Sequence, residues 1–241
     1  MATQLHYKDN KTFQINLAMG FVGESAAIAL MRTHGHEFEF DGFGAGSVEI
    51  FKDVFLKQKR NPDLKCSRCG QMLEVRAKSA LKISMSDSPS RQFDRELKLP
   101  VWVGFVRVVL REPNLDKLDP ASYLASTDIY VIPVSELSAK KHKATRSRPK
   151  SKDKGSETYL TWPSLLSPVN GELLGIERDP SLVYIRGDDG NIRRVEPPPG
   201  SYLYNGIREG HRVLAKETIV CGVAKTLSSL ALKCKGSREP G

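Results

Sequence analysis

The stretch RNPDLKCSRCGQMLEVRAKS, residues 60–79, constrains the fold more than any other part of the chain. Cys66-Ser-Arg-Cys69-Gly70 reads as a tight turn, and the run behind it, Met72 to Lys78, reads as a strand. Side chains alternate along a strand with a period of two, so Glu74, Arg76 and Lys78 project from one side. Asp63 closes the strand ahead of the turn, and the turn sets the register between Asp63 and Glu74. Paired in this way, the two carboxylates converge. A half-buried strand with a solvated charged face is the plainer reading of the same pattern.

The surroundings of this hairpin predict an α/β layered domain. FQINLAMGFVGESAAIALMRTHG (13–35) places Leu17, Phe21, Ile28 and Met31 at helical spacing, with Gly35 as the stop. Short strand-like runs follow at 36–43, 48–56 and 72–85, with a weak helix around Phe93–Leu97. VWVGFVRVVL (101–110) is apolar enough for a central strand buried on both faces, and DIYVIPV (128–134) is another buried strand, followed by a short helix or tail. The polar, basic segment SAKKHKATRSRPKSKDKGSE (138–157) lacks apolar periodicity and reads as a flexible linker. It divides the chain into an N-terminal domain, 1–137, and a β-rich accessory domain, 158–241.

The balance of 37 Lys and Arg against 28 Asp and Glu gives a net charge of +9 and a pI near 9.4. Such a surface attracts polyanions, which makes nucleic acid the first partner to consider. Lys140, Lys141 and Lys143 in the basic segment would add sequence-independent grip on phosphates. No apolar run of the length needed to cross a bilayer stands out and the first residues lack the apolar core of a secretory signal, so a cytoplasmic protein without membrane contact is expected. The four cysteines are then expected to be reduced.

Two carboxylates on neighbouring strands suit a hard divalent cation such as Mg²⁺ or Mn²⁺, which holds several of its own waters. With a lysine or arginine beside it, such an ion can neutralise an attacked phosphate and activate water. Pro62-Asp63 followed by Glu74-Val75-Arg76 and Lys78, in the order helix, meander, buried strands, resembles the PD-(D/E)XK nucleases, the restriction-endonuclease-like superfamily. The resemblance covers roughly residues 13–137. It implies a mixed sheet with flanking helices and a Mg²⁺-dependent DNA endonuclease, of the kind found in restriction, repair or anti-phage systems. It further implies Asp63 and Glu74 as metal ligands, helped by Glu24 on the leading helix, Lys78 as the catalytic residue and Arg76 as a phosphate contact. Arg76 stands where the family usually has lysine; Lys78 follows on the same strand face, and a catalytically silent nucleic-acid-binding or assembly subunit on this fold is the alternative. Ser84 and Ser86 lie just beyond the motif strand, where they are expected to touch DNA, with Asp87 beside them; Asp53 is a further acidic candidate. A homodimer or a partner subunit fits double-strand cleavage, which usually needs two sites.

Cys66 and Cys69 have the spacing of a zinc knuckle. A structural zinc needs two more ligands; His34 and His36 are the expected pair, with Cys221 and Cys234 as alternatives. Serine-hydrolase and phosphate-loop motifs are absent, and GFGAGS (42–47) precedes a strand-like run instead of opening a helix.

The C-terminal half consists of short β-prone runs broken by Gly, Pro, Asn and Asp, and predicts a small barrel or sandwich. Its turns resemble those of barrel-sandwich hybrid domains, but IRGDDGNIRR lacks the lysine that biotinyl and lipoyl carriers modify. Arg178, Arg186, Arg193 and Arg194 are expected to form a basic face. Tyr159 and Trp162 anchor the chain where it re-enters folded structure.

Overall fold

The computed structural model describes residues 11–40, 62–87, 93, 100–147, 158–178 and 181–236. The expected strand at 48–56, Asp53, GFGAGS and most of the helix expected around Phe93–Leu97 lie outside the described residues; Phe93 itself is helical and buried.

The first layer is helix α1 (Lys11–Thr33), as the helical spacing predicts. Its buried line is Ala18, Gly23, Glu24, Ala27 and Met31, while Leu17, Phe21 and Ile28 are half-buried. Small residues dominate that line because the helix lies very close to a strand: a Cβ on Gly23 would stand 2.7 Å from Ala77 Cβ. By length and composition Gln14–Thr33 also qualifies as a bilayer-crossing helix, contrary to expectation. Here it packs on a sheet and holds a buried carboxylate, Glu24, within the qualifying stretch.

That sheet contains β1 (Phe38–Phe40), β2 (Leu64–Cys66), β3 (Met72–Lys78), β5 (Val101–Leu110) and β6 (Tyr123–Pro133), in that spatial order. The pairs β1–β2, β2–β3 and β5–β6 are antiparallel, and β3–β5 is parallel. A parallel pair needs a crossover, and residues 79–100 supply it, carrying β4 (Ser84–Ser86) on the way. The strand expected over 72–85 is thus two elements, ending first at Lys78. β5 is buried on both faces: Val101, Val103 and Phe105 enter one core, and Val106 and Val108 the other. Plain alternation makes both faces apolar, and the register against β6 is irregular between Val106 and Val108. The fold is therefore mixed α/β, with a mixed sheet and few helices.

The connection expected to be a flexible linker is folded over its first half. α2 (Val134–Ala139), a 3₁₀ turn at Lys141–Lys143 and β7 (Thr145–Arg146) occupy it, and residues 148–157 lie outside the described residues. β7 pairs with β8 (Tyr159–Thr161), which pairs on its other side with β4, so a small sheet of order β4-β8-β7 ties the two halves together. The halves also share one core, in which Phe93, Phe105, Tyr130 and Leu137 pack with Trp162, Leu173, Val183 and Tyr204. Trp162 is its centre, donating from its backbone N–H to Ile83 O (2.9 Å) and from Nε1 to Leu137 O (3.0 Å).

The C-terminal half is built of strands, as its composition predicts. β9 (Ser164–Leu166), β15 (Ile219–Gly222) and β13 (Tyr202–Leu203) form one sheet; β10 (Gly171–Arg178), β11 (Ser181–Gly187), β12 (Ile192–Val195) and β14 (Arg212–Val213) form another. Arg186 and Arg194 share a face of the second sheet, because Arg194 stands opposite Tyr184, two residues before Arg186. Arg193 stands opposite buried Ile185 and pairs with Asp189 at 2.6 Å, so the expected basic face is divided.

Candidate active site and metal centre

The β2–β3 hairpin forms because its turn meets the geometry that glycine allows. Gly70 has φ +74°, a left-handed value that favours glycine, and its N–H donates to Cys66 O at 2.9 Å while Cys66 N–H donates to Gln71 O at 2.8 Å. The turn fixes Leu64 opposite Leu73 and Lys65 opposite Met72. Asp63 immediately precedes β2 instead of ending an earlier strand, and the strand pairing stops at Leu64 and Leu73, so it is the Asp63 side chain that reaches β3, at the residue after Glu74. Val75 N–H donates to Asp63 Oδ2 at 2.8 Å, which fixes that neighbourhood.

Along β3, Leu73, Val75 and Ala77 face α1, and alternation turns Glu74, Arg76 and Lys78 the other way. Glu74 is buried, and Arg76 Nη2 lies 2.8 Å from its Oε1 with both side chains largely shielded from water. Lys78 donates to Ser84 Oγ, and its ammonium stands 5.8 Å from the centre of the Tyr159 ring. Ser84 and Ser86, expected to contact DNA, are buried, because β4 is the edge that pairs with β8. Asp87 is also internal: it accepts from Phe93 N–H at 3.3 Å and pairs with Arg146 at 2.6 Å. The ammonium groups of Lys140 and Lys141 stand over the rings of Tyr202 (5.9 Å) and Phe93 (5.8 Å), so these cations sit on folded chain.

The structure ties Asp63 to the residue after Glu74 and sets Glu24 on the other side of the sheet from Glu74. Glu24 is buried on α1, whose Gly23 touches the Ala77 face of β3, opposite the face that carries Glu74. Among the described residues, these three do not gather their carboxylate oxygens as tightly as a metal-binding cluster does.

A second set does. His36, Cys66, Cys69 and Cys234 place one ligand atom each within 4.8 Å of all the others, and could hold a metal ion. Tetrahedral bonds of about 2.3 Å to sulfur imply ligand separations of about 3.8 Å, so the cluster needs only slight contraction. The tautomer of His36 fits the task. Its Nε2 lies 2.8 Å from Leu232 O, a carbonyl that can only accept, so Nε2 carries the proton and Nδ1 presents its lone pair toward Cys69 Sγ at 3.5 Å. Phe38 and Trp102 hold the ring, at centroid distances of 5.1 and 5.7 Å.

Burial pushes the Cys66 thiol up, but the Cys69 N–H, the His36 ring and the N–H groups of Glu37 and Arg68 outweigh it and bring its pKa down to about 6. Burial pushes Cys69 up to about 11, and the neighbouring Cys66 and Cys234 thiols oppose a second negative charge. One thiolate is therefore favoured by the protein alone, and several together call for a cation to neutralise them.

This set corrects the expected one. His34 is not a ligand; its carbonyl accepts from Cys234 N–H at 2.9 Å, placing Cys234 in the fourth position. Cys221 is buried elsewhere, in the shared core. The available signal was a repeated tripeptide: Leu64-Lys65-Cys66 recurs as Leu232-Lys233-Cys234, and both copies bury Leu and Cys while exposing Lys.

No family model matches this chain, and neither a curated protein nor a solved structure shows significant similarity to it.

Proposed function

We propose that the chain is a metal-dependent endonuclease that hydrolyses phosphodiester bonds in DNA, with Asp63 and Glu74 as its metal-holding carboxylates. The observation that carries this reading is the hairpin: the Asp63 carboxylate, just ahead of β2, accepts from the N–H of Val75, the residue after Glu74 on β3, in a sheet whose order of helix, antiparallel meander, crossover and parallel strand suits a PD-(D/E)XK core.

Mg²⁺ or Mn²⁺, once bound, would neutralise the attacked phosphate and lower the pKa of a water molecule. Two carboxylates fit such an ion, which keeps most of its own waters. Asp63 is oriented by the Val75 N–H, leaving its carboxylate fixed at the strand edge. Glu74 is held by Arg76, whose guanidinium can turn from that carboxylate to a phosphate oxygen, exchanging one anionic partner for another. Lys78 lies two residues along the same face; its ammonium stabilises charge that develops on the phosphate, and Ser84 and Tyr159 fix its position. Lys140 and Lys141, with Lys143 on the same turn, supply non-specific grip on the strand.

The His36, Cys66, Cys69 and Cys234 cluster is read as a closed structural zinc site, because three thiolates and one imidazole are the donor set that borderline-soft Zn²⁺ prefers. Neither carboxylate of the acidic pair belongs to it, so the two metals are separable.

A catalytically silent nucleic-acid-binding subunit is the second reading. The Glu74–Arg76 ion pair favours it, since a carboxylate already neutralised by an adjacent guanidinium attracts a cation less strongly. Plasmid DNA incubated with the purified chain and Mg²⁺, Mn²⁺ or EDTA separates the two. Cleavage that needs the divalent ion and is lost in Asp63→Asn and Glu74→Gln supports the enzyme. DNA binding without cleavage under any of these metals supports the silent subunit.

A further inference from the structure

Residues 225–236 leave the C-terminal half and run back across the N-terminal sheet. No strand pairing holds them. Thr226 is still held by Asn205 of the C-terminal half, and the attachment to the N-terminal elements includes Lys225 N–H to Glu136 Oε1 at 3.1 Å, Leu227 N–H to Val131 O at 2.8 Å, Cys234 N–H to His34 O at 2.9 Å, and His36 Nε2 to Leu232 O at 2.8 Å. Leu232 and Cys234 are buried in the core beneath α1, among residues of the sheet, with Leu227 packed against it. Gly236 lies so close to the knuckle that a Cβ there would stand 2.8 Å from Arg68 O. Within the segment itself, only local turn bonds such as Leu232 N–H to Ser228 O (3.0 Å) shape the chain.

The four metal-site ligands come from three places. His36 follows α1, Cys66 and Cys69 frame the turn of the hairpin, and Cys234 belongs to the returning segment. His36 and Leu232, joined by a hydrogen bond, are 196 residues apart in sequence. A bond that closes so long a loop removes much of the freedom of the unfolded chain. A knuckle needs only local ligands to hold its own turn; recruiting the fourth from the far end of the described chain serves something else.

We propose that the ion at this site acts as a clasp. It fastens the 225–236 segment over the N-terminal sheet, and because two of its ligands are the ends of the β2–β3 turn, it locks the hairpin in which Asp63 reaches the residue after Glu74. The ligand is a single Zn²⁺, and its loss opens the segment and loosens the hairpin without dissolving the C-terminal sheets. The inference rests on the zinc reading of the cluster but not on nuclease activity.

The test is hydrogen exchange by mass spectrometry on the full chain, as purified and after removal of zinc by a nitrogen-donor chelator, with zinc content measured in parallel. Protection of peptides from 225–236 and 64–76 is expected to fall by about tenfold or more on stripping and to return with added Zn²⁺, while peptides from β10 and β11 hold theirs. For a chain too fragile to strip, Cys234→Ser gives the same comparison: the three remaining ligands keep the knuckle, and only the 225–236 segment is expected to lose protection. One zinc per chain with unchanged protection of 225–236 in both experiments would overturn the clasp and leave the zinc site standing. Absence of bound zinc from the purified chain, with no uptake on addition, would overturn the site and the clasp together.

Discussion

At the scale of single residues, the account depends on Glu74. Its burial with Arg76 makes two effects separable by choice of substitution. Glu74→Ala removes the carboxylate that the Arg76 guanidinium pairs with, and is expected to cost about 3 kcal/mol of stability in addition to any activity, the magnitude typical of breaking a shielded ion pair from one side. Glu74→Gln keeps the shape and an acceptor oxygen but not the charge, so it should recover only part of that loss in urea unfolding while divalent-dependent cleavage falls by at least about 100-fold. Stability of both variants equal to that of the wild type would show that the ion pair contributes little. Glu74, Arg76 and Lys78 were legible in the sequence because a period of two is local. Cys234 was legible only as an alternative ligand beside Cys221, because the fold and not the spacing brings it to Cys66; the repeated Leu-Lys-Cys is the trace that separates the two.

Among elements, the approach of α1 to β3 is the tightest constraint. Alanine has the better helix propensity, by about 1 kcal/mol over glycine. At position 23, however, the added Cβ meets the Ala77 Cβ at 2.7 Å, and neither atom can rotate away. Overpacking of this kind costs about 1–3 kcal/mol, so the clash outweighs the propensity and Gly23→Ala should lower the thermal midpoint. A higher midpoint would mean that the helix can lift from the strand at small cost. The helix itself was legible from its apolar spacing, and so was Met31 in its buried line, but the rest of that line is made by Ala18, Gly23 and Ala27, with Leu17, Phe21 and Ile28 only half-buried. β5 was readable as a central strand from its composition alone. The folded half of the connection was hidden for the opposite reason: Lys140 to Arg146 carries no apolar period, and is held by pairing with β8 and by lysine ammonium groups over Tyr202 and Phe93.

For the whole molecule, the shared core is the feature the sequence concealed most completely. A basic, polar stretch suggested two independent units, whereas residues from both sides of it pack around Trp162. Urea unfolding followed by fluorescence and by circular dichroism should therefore give one coincident transition, and Trp162→Ala should shift it by about 3–5 kcal/mol through loss of a fully buried indole and its bond to Leu137 O. Two separated transitions would mean that the halves fold independently despite the contact. The single core also gives the positive charge a fixed geometry, since Lys140 and Lys141 of the connection stand at the rings of Tyr202 and Phe93. The measurement that bears most directly on the central claim is plasmid cleavage by the zinc-loaded chain with and without Mg²⁺, alongside Asp63→Asn and Glu74→Gln. The account predicts nicked or linear DNA only with the divalent ion and only from the wild type, with zinc content equal in all three proteins. Intact plasmid in every lane, or cleavage that survives both substitutions, would contradict it.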